Sequence, residues 1–142
     1  MNMKSFFFAL LALTITTVSV AQKKAADAVK FTELKYDFGK IKQGSPVTHD
    51  FAFQNIGAQP VVIESANASC GCTTPAWPKT PVVKGKSDKI SAGFNAASPG
   101  PFDKTIFVKV SGYEQPLELR ITGEVLSAED YTKFSGSKKA TK

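Results

Sequence analysis

Val47-Thr48-His49-Asp50-Phe51-Ala52-Phe53-Gln54-Asn55 alternates without interruption. Val47, His49, Phe51 and Phe53 share one parity; Thr48, Asp50, Ala52 and Gln54 share the other. Successive side chains of a strand point to opposite faces, so the stretch predicts a strand with one buried and one wetted face. Asn55-Ile56-Gly57-Ala58-Gln59-Pro60 follows as turn chemistry, because Gly57 can take positive φ and Pro60 cannot donate to a central ladder.

Working outward, Val61 to Ala68 predicts another strand. Ile90, Ala92 and Phe94 alternate with Lys89, Ser91 and Gly93; Ile106, Val108 and Val110 alternate with Thr105, Phe107 and Lys109; Leu117, Leu119 and Ile121 alternate with Glu118, Arg120 and Thr122. Upstream, Phe31 to Phe38 predicts a first, edge-type strand kinked at Gly39. Thr73 to Pro81 carries Pro75, Pro78 and Pro81 around Trp77, which predicts a loop crossing the end of the fold. About seven short strands with turn signals every 8 to 12 residues or so are expected of an immunoglobulin-like antiparallel β-sandwich, an all-β fold.

The chain has 142 residues, 42% of them hydrophobic, which suits one domain. Residues 1–21 stand apart: Lys4, an apolar run over Phe6 to Val18, and Ser19-Val20-Ala21 form the three parts of a signal peptide cleaved near Ala21. The run is too short to span a membrane, so the expected product is a soluble periplasmic or secreted protein with no membrane span. Residues 22–30 read as a linker, 31–126 as the sandwich and 127–142 as a basic, disordered tail. The formal charge of +6 sits mainly in the flanks. Within 31–126 ten basic residues meet nine acidic ones, leaving +1, so no basic face for nucleic acid is expected.

The only cysteines are Cys70 and Cys72, a Cys-x-Cys pair inside Ser69-Cys70-Gly71-Cys72-Thr73. They share one segment, whereas antibody-type domains bridge two strands. Three readings stand side by side. The pair can be structural, two small residues in a tight turn with Trp77 packed over them. It can be a redox-labile disulfide, since export favours oxidation and a ring this small contributes little chain-entropy stabilisation. It can be a metal clamp: two thiolates suit Cu(I), with His49 the only candidate third ligand. His49, the single histidine, shares the parity of Phe51 and Phe53, which makes a histidine within the sandwich or at its rim the plainer expectation. No second base, paired carboxylates, phosphate loop or nucleophile elbow accompanies it, so no catalytic residue is assigned. Trp77 reads as a plug of the sandwich end or as a partner contact.

In order, Tyr36-Asp37-Phe38-Gly39-Lys40-Ile41, His49 through Gly57, Ser69-Cys70-Gly71-Cys72-Thr73 and Pro81-Val82-Val83-Lys84-Gly85-Lys86 resemble the bacterial domain-of-unknown-function family 1573. Lys84 departs from the family's usual proline. The resemblance implies an immunoglobulin-like sandwich in an exported bacterial protein, without an established activity. The expected function is a non-catalytic binding or structural module of the cell envelope with a protein partner there. The alternative is a small thiol-redox or Cu(I)-handling protein using Cys70 and Cys72.

Overall fold

A computed structural model describes residues 23–139, so the leader read over residues 1–21 lies outside the described residues. Among the described residues there are eight strands: β1 (Val29–Phe31), β2 (Lys35–Lys42), β3 (Val47–Asn55), β4 (Ile63–Ala68), β5 (Thr73–Ala76), β6 (Ser87–Phe94), β7 (Gly100–Val110) and β8 (Leu117–Leu126). They form two four-stranded sheets, ordered β1-β3-β6-β5 and β2-β8-β7-β4. All pairings are antiparallel except β2 with β8, which is parallel. The expected all-antiparallel sandwich is thus a mixed one.

The alternation of β3 does what its parity requires. Phe51 and Phe53 are buried, while Asp50, Ala52 and Gln54 are exposed. From the same sheet Ile90, Ala92 and Phe94 of β6 bury inward, and the other sheet sends back Ile106, Val108, Val110, Leu119, Ile121 and Val125. Burial of such side chains stabilises by about 1.5–3 kcal/mol each and is the main term holding the two layers together.

Four segments differ from the sequence expectation. Val29–Phe31, read as the end of a linker and the start of a kinked strand, pairs with β3 as a separate short strand, Val29 opposite Asn55 and Phe31 opposite Phe53. Its one deeply buried side chain, Val29, is too little pattern to be seen along the chain. The first long strand then runs through Gly39 rather than ending there. Gly39 adopts φ 65° and its N–H donates to Asp37 Oδ1 at 2.9 Å, so the chain absorbs a register shift between Asp37 and Lys40 and carries on to Lys42.

Thr73–Ala76, read as loop, is an edge strand on β6. The Asn95 N–H donates to Cys72 O at 3.1 Å, which makes that pair a hydrogen-bonded one. Hydrogen-bonded and non-bonded pairs alternate along an antiparallel ladder, so Pro75, opposite Ala92, occupies a non-bonded position. Its missing N–H faces the free edge, where proline is tolerated.

The tail read as disordered contains a helix, α1 (Ala128–Lys139). Ser127 supplies the start signal: its Oγ accepts from the Asp130 N–H at 3.2 Å and donates to Asp130 Oδ2 at 2.7 Å. Glu129 pairs with Lys133 one turn on at 2.7 Å, and Lys40 of β2 lies 5.2 Å above the Phe134 ring, tying α1 to the sheet edge. The helix lacks a strong apolar stripe, so hydrophobic periodicity does not announce it.

The Val83-Lys84-Gly85-Lys86 turn is closed by Lys86 N–H to Val83 O at 3.0 Å, with Gly85 at φ 77°. Lys84 therefore stands at the second turn position, where proline would fix φ in advance.

Candidate functional site: the Cys70–Cys72 corner

β4 belongs to one sheet and β5 to the other, so residues 69–72 form the corner where the chain changes sheets. Hydrogen bonds fix this corner on every side. The Ser69 N–H donates to Thr105 O at 2.9 Å and the Thr105 N–H to Ser69 Oγ at 3.2 Å, which anchors the incoming arm to β7. The Thr73 N–H closes the turn onto Cys70 O at 3.3 Å, and Asn95 holds Cys72 O as described above. Across this frame Cys70 and Cys72 are joined by a disulfide, their Cα atoms 5.4 Å apart. Gly71 between them is exposed, with open space where a side chain would be.

Both cysteines are half-buried, but their surroundings differ. Cys70 Sγ lies 3.8 Å from Oγ1 of Thr73, a residue only 4% exposed. A disulfide sulfur carries no proton, so the hydroxyl is the donor. Cys72 instead lines two clefts. One, of about 290 Å³, is walled by Phe94, Phe102, Pro99 and Pro101 and carries Lys104; the other, of about 200 Å³, lies toward Val47 and Thr48.

The wall of the larger cleft is rigidly built. Phe94 and Phe102 stack with centroids 4.1 Å apart. Ala96 sits at φ 51°, a left-handed conformation costing about 1–2 kcal/mol for a residue with a Cβ. Its carbonyl accepts from the Gly44 N–H at 2.9 Å, Gln43 Nε2 donates to Ala97 O at 3.0 Å, and Asn95 Oδ1 accepts from the Ala97 N–H at 3.1 Å. Sequence reasoning named Cys72 but neither this wall nor Lys104, which β7 brings in from about thirty positions away; register, not local motif, places it.

His49 points inward as its parity requires, yet it does not join the cysteines. Its Nε2 lies 2.9 Å from Glu33 Oε1, its ring stacks on Tyr36 at 3.6 Å, and Phe51 meets it edge-on at 4.8 Å. Among the described residues no three His, Cys, Asp or Glu side chains gather as a metal site, and both sulfurs are spent on each other. The three-ligand set Cys70, Cys72, His49 is therefore not assembled. Trp77 does not cover the cysteines either. Cys72 precedes β5 and Trp77 follows it, which puts a strand of roughly 13 Å between them. Trp77 packs half-buried against the core with Lys79 Nζ 3.2 Å above its ring, and its Nε1 is buried without a hydrogen-bond partner.

Two facing sheets of four strands, with the core between them, define an immunoglobulin-like sandwich. The chain belongs to the family described as Protein of unknown function (DUF1573), whose model matches residues 29–125. That span begins at β1, in agreement with the earlier start of the domain. PapD-like domain 7 of human CEP192 is similar in fold, with a TM-score of 0.64 at 12% identity over 78% of this chain and 94% of that one. A protein of unknown function from Porphyromonas gingivalis W83 gives 0.60 at 15% identity, covering 72% of this chain and 49% of that one. The secreted serine protease VesC from Vibrio cholerae gives 0.56 at 16% identity over 70% of this chain but only 23% of that one. At these identities the likeness is one of fold alone. No curated protein matches the chain.

Proposed function

We propose that the mature chain is an exported, non-catalytic binding or structural module of the bacterial envelope. The observation that carries this reading is the commitment of its reactive groups to structure. The one histidine is held by Glu33 and Tyr36, Asp50 by Lys89 at 2.5 Å, Asp103 by Arg120 at 2.5 Å, and Glu124 faces Lys40 at 3.9 Å. The three carboxylate–cation pairs join neighbouring strands, His49 is tied to the β1–β2 connection, and each pairing leaves its members poorly placed for acid–base work. The amino-terminal leader supports export, and no helix among the described residues is long and apolar enough to cross a membrane.

Trp77 is the proposed partner contact, since a half-buried aromatic at the rim is the usual anchor of an interface. Affinity capture from an envelope fraction tests the reading with the wild-type chain and Trp77→Ala. The mature protein should begin at Gln22 by mass and retain a stoichiometric partner that Trp77→Ala loses while still folded. A chain retaining its leader in the cytosol, or equal capture by both proteins, contradicts the reading.

A second reading, thiol–disulfide exchange, is favoured by one specific observation. The disulfide closes over only two positions of sequence, is half-exposed, and spans a corner that hydrogen bonds already hold. Bonds with those properties are the labile ones. Cu(I) handling would follow only after reduction, because the thiolate is the ligand.

A further inference from the structure

We propose that Cys72 is the electrophilic sulfur of an exchange site, attacked from the Lys104 cleft by a dithiol, with Cys70 as the leaving sulfur. The assignment rests on the thiol–disulfide reading above and goes further by giving the two sulfurs different roles.

Two independent features point the same way. The first is access: Cys72 lines both clefts at the corner, whereas Cys70 lines neither. An incoming thiolate must approach one sulfur nearly in line with the bond it breaks, so the sulfur open to a cleft is the one attacked. Lys104 on the cleft wall forms no salt bridge among the described residues, and its ammonium favours entry of an anionic nucleophile. The second feature is the leaving group. Sulfur departs as a thiolate, and its departure is faster the better that charge is stabilised. Thr73 Oγ1, already 3.8 Å from Cys70 Sγ and shielded from water, donates to that charge as it forms.

The exchange balances as follows. A thiolate of the dithiol bonds to Cys72 Sγ, the Cys70–Cys72 bond breaks, and its electron pair leaves on Cys70, which then takes a proton from solvent. The second thiol of the partner, losing its proton, attacks the partner sulfur of the mixed disulfide and expels Cys72 as a thiolate, which is protonated in turn. The partner ends as a disulfide, and the cysteine pair has gained two electrons and two protons. The bonds that hold the corner's backbone involve backbone atoms and Ser69 Oγ and no sulfur, so they survive the opening.

The test uses the full mature chain in its oxidised form. Millimolar dithiothreitol measures opening of the bond, with the fold followed by circular dichroism. Glutathione forms the mixed disulfide, which is trapped by rapid acid quenching before Cys70 or a second glutathione resolves it, and fragmentation across Gly71 places the adduct. The expected adduct sits on Cys72 in about tenfold excess over Cys70, and Thr73→Val slows opening by about tenfold while Thr73→Ser restores it, as loss of a hydrogen bond to a charged group predicts. Lys104→Gln slows attack at low salt and matches wild type at high salt. An adduct on Cys70, or equal labelling of both sulfurs, overturns the assignment while leaving the exchange reading intact. A disulfide that resists dithiothreitol in the folded protein overturns both.

Discussion

At one end of the sandwich the chain is tied by Asn55, whose side chain is fully buried; at the other it is tied by Cys70–Cys72, half-exposed and bonded to each other. β3 runs between the two, from Val47 beside the cysteine corner to Asn55 itself. Asn55 Nδ2 donates to Gln59 O and Val82 O, both at 2.8 Å, and its Oδ1 accepts from the Gly57 N–H at 2.9 Å. Around it Val61 and Val82 exchange backbone hydrogen bonds at 2.9 and 2.8 Å, tying the β3–β4 connection to the β5–β6 connection. Polar groups without access to water must find partners inside the protein, so this end depends on one side chain. The cysteine end does not. Its backbone groups are satisfied without the sulfurs, and its covalent bond closes so short a loop that little unfolded-state entropy is removed. The proposed exchange therefore asks that the noncovalent tie carry the structure of this sheet and that the covalent one be dispensable to it.

The comparison breaks most visibly at Asn55. Asn55→Ala removes three side-chain hydrogen bonds at once, and at roughly 1 kcal/mol each the expected loss is about 3 kcal/mol of unfolding free energy, read from urea denaturation. A loss no larger than that of an exposed substitution would mean that water replaces the side chain and that this end is not closed. The cysteine end should respond less. Cys70→Ser combined with Cys72→Ser is expected to cost under about 2 kcal/mol and to leave the sandwich folded. If the double variant unfolds, the ranking of the two ends reverses, and the disulfide becomes structural.

How much of this was legible along the chain follows from how each feature is encoded. Alternation in β3, β6, β7 and β8 is a period of two, repeated over many residues, and it located the core faces of the sandwich. Asn55 looked like turn chemistry, which it is, but its burial depends on Val82 and Gln59 closing over it, and neither is a local property. The cysteine pair was legible as a pair because two thiols one residue apart have few innocent explanations. What the pattern could not supply was the difference between its sulfurs, set by Thr73 on one side and by a cleft assembled from β6 and β7 on the other. β5 was hidden by Pro75, which is compatible with an edge strand only in the half of positions whose N–H points outward. α1 was hidden because its signals are a cap and an ion pair rather than an apolar stripe. For His49 parity fixes direction, and only the tertiary fold brings Glu33 and Tyr36 beside it.

Midway along β3, on the wetted face, Asp50 belongs to neither end and sets the scale for surface effects. Its carboxylate accepts from Lys89 Nζ at 2.5 Å and from Ser91 Oγ. The hydrogen bond from Lys89, then that from Ser91, holds the Asp50 carboxyl below its ordinary value. A lowered carboxyl pKa in the folded state means that the unfolded chain binds the proton more readily. The pair's contribution is therefore complete above the unfolded carboxyl value near 3.8 and is lost as pH falls through the still lower folded value. Both groups are exposed, so solvent and salt screen the pair and its effect is the smallest of those considered. Thermal melts of wild type and Asp50→Asn should show a small gap at neutral pH, narrowing in high salt and closing in acid once the pH has fallen through the lowered folded value, where the carboxyl is neutral in both states. A gap that persists in acid would assign the effect to the Ser91 contact or to strand packing rather than to charge. A gap as large as that of Asn55→Ala would mean that the wetted face of β3, and not its buried end, carries the stability of this sheet.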